Sequence, residues 1–241
     1  MTAAATPTTA GTATLHRSRS AARSLTLLDT VITQGSMSLS EAATDVGIPT
    51  STALRHLRAL MESGYLVRDQ HGQYSVGPTF LRVALAAFRS GPYARLLAAA
   101  QPHLDELADL TEESVYVAVR DGTNAIYIAT VESPRAIRHV GWVGRSVPLE
   151  GTAIGAALLM PAEAPGQRPP TAINTGAIEP DVTALTAPIF GGAGVVGALS
   201  VLGPAERLAG DRLDRAVETV AEAAASIAGS MSAPADRAGR P

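Results

Sequence analysis

The 241-residue chain is long enough for one large domain or two small ones, and with 46% hydrophobic residues it is not a chain that is disordered throughout. It has no cysteine, which removes disulfides, thiolate metal sites and a cysteine nucleophile, and it has no lysine, so all 19 basic residues are arginines. The net charge of −3 argues against a nucleic-acid partner until its distribution is read: residues 12–91 hold 8 Arg against 5 acidic residues, and residues 92–241 hold 11 Arg against 17.

That asymmetry implies a basic head that faces nucleic acid and a separate acidic body. Residues 1–18 read as a disordered arm, with arginines placed after the weakly apolar part, the wrong order for a secretory signal. No stretch approaches the roughly 18 consecutive apolar residues of a membrane span, so a cytoplasmic protein is expected. From Arg19 to Gln34, Ala22, Leu25, Leu28, Val31 and Ile32 recur at helical spacing and end at Gly35. Ser38 and Glu41 form a capping box ahead of a short second helix closed by Gly47. Pro49 then opens a third helix, where its missing N–H does no harm. "YLVRD" and "QYSVG" flank a polar, glycine-containing turn and read as a hairpin. Three helices and a hairpin make a winged helix-turn-helix, expected over residues 19–77.

A linker helix is expected over 78–92, and an α+β body with an antiparallel sheet over 93–231. In that body 93–110 and 205–230 read as long helices, and "SVYVAVRD", "NAIYIATVES" and "AIRHVGWV" as strands. "GTAIGAALLM" reads as a short helix, 161–180 as a Pro-rich loop, and "VTALTAPIF" with "VVGALSVLGP" as a second hairpin. Residues 232–241 complete the chain as a frayed tail.

The stretch "IPTSTALRHLRAL" carries the function of the head. In a helix-turn-helix this helix enters the major groove, and small hydroxyl residues in its first turn let the backbone approach closely. Thr50, Ser51 and Thr52 fit that need, with Arg55 and His56 placed to read or anchor and Arg58 better placed for phosphate. Leu54, Leu57, Leu60 and Met61 form the inner face. Arg19, Arg23 and Ser38 add contacts from the preceding helices, and Arg68, Gln70, His71 and Gln73 from the wing. The bland alternative is an ordinary capped helix whose cations are solvated. It explains the helix alone, but not the capped helix before it together with the polar wing after it.

The span "LTLLDTVITQGSMSLSEAATDVGIPTSTALRHLRALMESGYLVRDQHGQYSVGPTFLRVA" resembles the DNA-binding domain of the IclR family of bacterial transcriptional regulators. The likeness rests on the turn into the third helix, Arg55, the "LxxxGYL" exit and a wing ending at Gly77. Beyond the linker, "PHLDELADLTEESVYVAVRDG", "VGRSVPLEGTAIGAALL" and "TALTAPIFGGAGVVGALSVLGPAERL" are similar to the family's GAF-like effector-binding domain. The resemblance implies a double-stranded DNA operator, a homodimer or dimer of dimers, no cofactor, and a small organic effector, with carboxylic acids and aromatic compounds as candidates. The chain departs from the family pattern at Glu150, where His is usual, at Gly155-Ala156, where Gly-Lys is usual, and in a shortened segment between Met160 and Ile173. The resemblance therefore leaves the ligand class open.

The expected effector lid is "HVGWVGRSVPLEGTA", residues 139–153. Its candidate contacts are Val140, Gly141, Trp142, Val143, Leu149, Thr152 and Ala153. Trp142 either plugs the core or an interface, or touches ligand. Arg138 and Arg145 are candidate forked donors to an anion, and Glu150 a candidate partner for an amine or hydroxyl. Tyr116 and Tyr127 lie on strands, each placed for packing or for binding.

An enzyme is not expected. There is no nucleophile elbow, P-loop or HExxH motif, and the five histidines lack metal-ligand spacing. "GGAGVVG" lies between two expected strands, which makes it a hairpin turn rather than a dinucleotide fingerprint. The remaining alternative is a ligand-sensing or scaffold protein that uses its winged helix as a protein interface.

Overall fold

A computed structural model describes residues 18–161 and 169–232. Residues 1–17 of the expected arm, 162–168 of the Pro-rich segment and 233–241 of the expected tail lie outside the described residues. The chain divides into two compact units between Gly91 and Pro92.

The first unit runs α1 (Arg19–Gln34), β1 (Ser36–Met37), α2 (Leu39–Asp45), α3 (Thr50–Glu62), β2 (Leu66–Arg68), β3 (Tyr74–Val76) and α4 (Pro78–Ser90). Ser38 caps α2 as expected: its Oγ accepts from Glu41 N–H, and its own N–H donates to Glu41 Oε2 at 2.7 Å. The turn into α3 needs Gly47 at φ 66°, and is closed by Ile48 N–H donating to the Ala43 carbonyl. Ala42, Ala43, Ala53 and Leu57 pack there with Leu27, Leu28 and Val31 of α1.

The buried row of α1 differs from the expected one. Leu27 replaces Leu25, which is 64% exposed, because the row also contains Ser24. Ser24 bonds inward across the core, so a polar residue hides the true stripe from a hydrophobic-period reading. Strand β1 was not expected either. Its two residues pair antiparallel with β3 and complete a small sheet of order β1-β3-β2.

The second unit contains α5 (Ala94–Thr111), β4 (Ser114–Asp121), β5 (Asn124–Val131), β6 (Ser146–Pro148), α6 (Ala153–Leu158), β7 (Ala172–Thr175), β8 (Val182–Gly191), β9 (Gly194–Pro204) and α7 (Gly210–Ser232). The six strands form one antiparallel sheet of order β6-β5-β4-β9-β8-β7. Alternation sorts the faces. Val115, Val117, Val119, Leu199 and Val201 pack under α5 and α7, while Tyr116, Ala118, Ala198 and Leu202 face α6 and the segment around Trp142.

In β5 the alternation breaks on purpose. Val117 pairs with Ala129 and Ala118 with Tyr127, leaving Ile128 as an extra residue. Tyr127 therefore faces the Trp142 side, while Ala129 and Val131 face the helices. The α+β class and the antiparallel sheet with helices on it are as expected.

Three elements differ. Residues 136–143 are not a strand: side chains rather than a neighbouring strand take their carbonyls, with Ser114 Oγ donating to the His139 carbonyl at 2.6 Å and Arg207 to that of Ile137 at 2.9 Å. Within 161–180, Ala172–Thr175 is a strand paired with β8, too short to register as one among prolines. Helix α7 begins at Gly210, not 205. The preceding residues form a turn in which Arg207 is drawn to Glu113, at 2.5 and 2.7 Å.

Candidate nucleic-acid interface and candidate effector pocket

Helix α3 has two unlike sides. Ala53 and Leu57 are buried, with Leu54, Leu60 and Met61 half-buried around them. Thr50, Ser51, Arg55 and Arg58 are exposed, and Thr52 is half-buried. No side-chain cap bond engages the first turn, and Thr52 N–H donates to the Pro49 carbonyl, so the hydroxyls and the Thr50 and Ser51 N–H groups are available to an anionic backbone. Arg19 and Arg23 are exposed on α1. Ser38 is held by its capping box.

His56 departs from the expected interface. It is 4% exposed, and its Nδ1 lies 2.8 Å from Ser24 Oγ, so it ties α3 to α1 instead of reaching outward. Burial, with the Arg55 and Arg23 charges added, holds its pKa below the ordinary histidine value and keeps it neutral. Its place on the helical wheel next to Leu57 and Ala53 was the available signal.

In the wing, Asp69 organises the turn. Its Oδ1 accepts from the N–H of His71 at 2.9 Å and of Gln73 at 2.8 Å. His71 and Gln70 are exposed and 3.2 Å apart. Arg68 is turned back into the wing: its guanidinium lies 5.2 Å from the Tyr74 ring centroid, and Nε donates to the Gly72 carbonyl at 3.2 Å.

In the second unit, left-handed Gly141 and Gly144 (φ 74° and 84°) bracket Trp142 and let it turn inward onto the sheet. Tyr116, Tyr127, His139 and Trp142 then form an aromatic cluster with centroid separations of 4.6–5.5 Å, edge-to-face except for the tilted His139–Trp142 pair. Above it lies a cavity of about 30 Å³, room for roughly two waters. Of the candidate effector contacts, Tyr127, Trp142, Thr152 and Ala153 line it, together with His139, Asn174, Ile178 and Glu179.

The polar network below the cavity is ordered. Tyr116 Oη donates to the His139 carbonyl at 3.1 Å and lies 2.9 Å from His139 Nδ1. The Thr152 hydroxyl donates to the carbonyls of Pro148 and Leu149, and accepts from Gly155 N–H at the start of α6. Burial raises the pKa of both Tyr116 and Tyr127, so each phenol keeps its proton. Burial also lowers the pKa of His139, with Arg145 adding to the effect and Glu179 opposing it.

Other expected contacts are not brought to this cavity. Arg138 bonds Glu132 at 3.3 Å and the Arg135 carbonyl at 3.2 Å. Arg145 lies over Trp142, 5.6 Å from the ring centroid. Val140, Gly141 and Val143 are exposed, Leu149 is buried in the core beneath, and Glu150 borders a separate shallow groove. The sequence reading missed Asn174, Ile178 and Glu179 because they stand in the stretch read as a structureless loop.

A winged helix-turn-helix unit and a six-stranded sheet unit with an aromatic-floored pocket, in one chain, define a two-domain helix-turn-helix class. Residues 20–70 match the IclR helix-turn-helix domain, and residues 93–168 match the C-terminal domain of the bacterial transcriptional regulator IclR. The chain belongs to the IclR family. It is 31% identical over 145 residues to the HTH-type transcriptional regulator KipR of Bacillus subtilis, covering 60% of this chain and 56% of that protein. Against the HTH-type transcriptional repressor AllR of Escherichia coli it is 30% identical over 128 residues, 53% of this chain and 46% of that one. The chain thus spans about half the length of the curated relatives it matches. Its fold is shared with an IclR homolog of Microbacterium hydrocarbonoxydans solved in complex with 4-hydroxybenzoate, at a TM-score of 0.73 and 21% identity, covering 88% of this chain and 98% of that one.

Proposed function

We propose that this protein is a sequence-specific DNA-binding transcriptional regulator whose operator affinity responds to a small organic effector held in the sheet unit. The observation that carries this reading is the outward face of α3, where Thr50, Ser51, Arg55 and Arg58 stand exposed opposite buried Ala53 and Leu57. In a helix-turn-helix that face meets base edges and phosphates. The wing contributes Gln70, His71 and Gln73, and α1 contributes Arg19 and Arg23. The named relatives are regulators or repressors, and 4-hydroxybenzoate in a fold neighbour supports a small organic effector. Among the described residues no helix is long and apolar enough to cross a membrane, which accords with a regulator that works on cytoplasmic DNA.

The operating species is a dimer. Leu81, Leu85 and Phe88 recur on one face of α4, all exposed, and a second copy of α4 would cover them. Two half-sites then lie about 34–36 Å apart or at a multiple of it. Selection of genomic fragments on the purified protein tests the whole reading, with an enriched two-half-site sequence as the expected result. Arg55→Ala should weaken binding to that sequence by about 1–3 kcal/mol, or roughly 5- to 150-fold. Affinity should also fall with salt at a log–log slope of about −0.9 per neutralised phosphate. No enriched sequence, or binding indifferent to salt, removes DNA as the partner.

A further inference from the structure

The pocket of the sheet unit has a one-sided chemistry. The ionisable side chains that line it with acceptor character are His139 and Glu179, and among the described residues no arginine lines it. His139 is 6% exposed, and its Nε2 is buried with no hydrogen-bond partner, 3.7 Å from the Glu179 carboxylate. Tyr116 Oη lies 3.1 Å from the His139 carbonyl, to which it can donate, and 2.9 Å from Nδ1. With its proton on the carbonyl, Nδ1 carries the imidazole proton, and Nε2 of this pocket-lining ring is a lone-pair acceptor.

The other lining side chains continue the pattern. Asn174 Nδ2 donates one N–H to the Gly151 carbonyl at 3.2 Å, and its Oδ1 adds an acceptor beside the remaining N–H. The Thr152 hydroxyl is engaged on both sides, and the Tyr127 phenol can donate or accept. The apolar walls are the rings of Tyr127 and Trp142. Arg145, a nearby cation, is exposed and lies over the indole rather than in the lining.

A carboxylate head would meet the Glu179 charge and the Nε2 lone pair, with no guanidinium among the described lining residues to oppose them. A protonated amine instead meets two acceptors, a carboxylate charge and aromatic faces that favour cations. We propose that this pocket binds the ammonium head of a small organic amine, one N–H donating to His139 Nε2 and another to Glu179. The inference rests on the sheet unit being the effector-binding domain. The lowered pKa of His139 keeps Nε2 available as an acceptor at neutral pH. A cavity of about 30 Å³ takes the head alone, so the organic tail leaves past exposed Ile178 at the rim.

Three probes that share one chain and differ in the head separate the possibilities: butylamine, butan-1-ol and butyrate. Each is titrated into the full chain at pH 7.5, following the His139 ring nitrogens and the Trp142 indole N–H by NMR. Butylamine should shift both saturably, and butyrate should not. Glu179→Gln should weaken butylamine at least ten-fold and leave the response to butan-1-ol unchanged; Glu179 is part-exposed at the rim, so the variant keeps its fold. Butyrate saturating the same resonances as tightly as butylamine overturns the proposal. So does an unchanged butylamine affinity in Glu179→Gln, or no shift with butylamine at all. Binding of the selected operator, measured in parallel, tells the two readings apart: intact DNA binding with a failed amine titration removes only this inference.

Discussion

Among the described residues each unit buries one histidine, and the two are built alike up to the last atom. His56 and His139 both place Nδ1 within hydrogen-bond distance of a hydroxyl, that of Ser24 in the first unit and of Tyr116 in the second, and both leave a buried Nε2 unpartnered. The difference is what Nε2 faces. In His56 it meets packed side chains, with the charges of Arg55 and Arg23 near the ring, and the residue acts as a strut between α1 and α3. In His139 it meets a cavity and a carboxylate. The same imbalance in hydrogen bonding is a packing cost in one place and a recognition group in the other.

The largest expected effect breaks the frame that holds each histidine's neighbourhood. Gly77, at the root of α4, packs against the Gly64 carbonyl, and Gly155, in the first turn of α6, packs against the Leu149 carbonyl. An added Cβ would collide with backbone in both places, which cannot rotate away. Gly155→Ala and Gly77→Ala should each cost about 1–3 kcal/mol or more of stability, read as a shift of the denaturation midpoint. The damage should stay local: Gly155→Ala should perturb the Trp142 indole signal while the resonances of α3 stay in place, and Gly77→Ala the reverse. A substitution that disturbs both units equally would mean that the damage does not stay within one compact unit.

Acidification comes next. Both histidines have folded pKa values below the ordinary value near 6.5. Between the folded and unfolded values the unfolded chain binds more protons, so the stabilisation is complete above about pH 7 and is lost as pH falls through the usual histidine range toward the folded value. The first unit should suffer more, because His56 has only arginines as charged neighbours, whereas Glu179 faces His139 and partly compensates its charge. Hydrogen exchange at pH 7.5 and 5.0 should show protection falling further in α1 and α3 than in β4 and β9. His56→Gln should remove most of the excess in the first unit. Equal losses in both units would dismiss the role given to Glu179.

These comparisons also show where the sequence was legible. The head was readable because its signals are local: Ser38 with Glu41, Gly47, Pro49 and the apolar set around Leu57 are short-range patterns with one physical solution each. The inward turn of His56 was readable only from its wheel position beside Ala53 and Leu57, a weak signal because its partner Ser24 lies 32 residues away and a histidine among arginines looks like one more cation. The sheet was readable from the alternation of β4 and β9. The pocket was half-readable. Trp142 and Tyr127 stood out as large rings among small residues, whereas Asn174 and Glu179 reach the site only because the short strand β7 pairs with β8, a long-range event with almost no local signature. Arg138 and Arg145 looked like ligand donors for the converse reason: a sequence shows a charge, but not the acid or ring that already occupies it.

The smallest effect sharpens the contrast furthest. Each unit sets one arginine over one aromatic ring, Arg68 over Tyr74 and Arg145 over Trp142, at 5.2 and 5.6 Å. Exposed cation–π pairs of this kind contribute about 0.5–1 kcal/mol, so Arg68→Ala and Arg145→Ala should lower stability by similar small amounts. Arg68→Ala adds the loss of its bond to the Gly72 carbonyl, and should loosen the wing without touching either histidine. Arg145→Ala does something its counterpart cannot. The Arg145 charge is one of the forces holding the His139 pKa down, so its removal should move that pKa upward, leaving burial as the opposing force and Glu179 as the supporting one. An NMR titration of the His139 ring checks this directly, with His56 in the same spectrum as the internal control. A His139 titration curve that stays put in Arg145→Ala would mean the Arg145 charge is screened from the ring, and that the pocket's electrostatics are set by His139 and Glu179 alone.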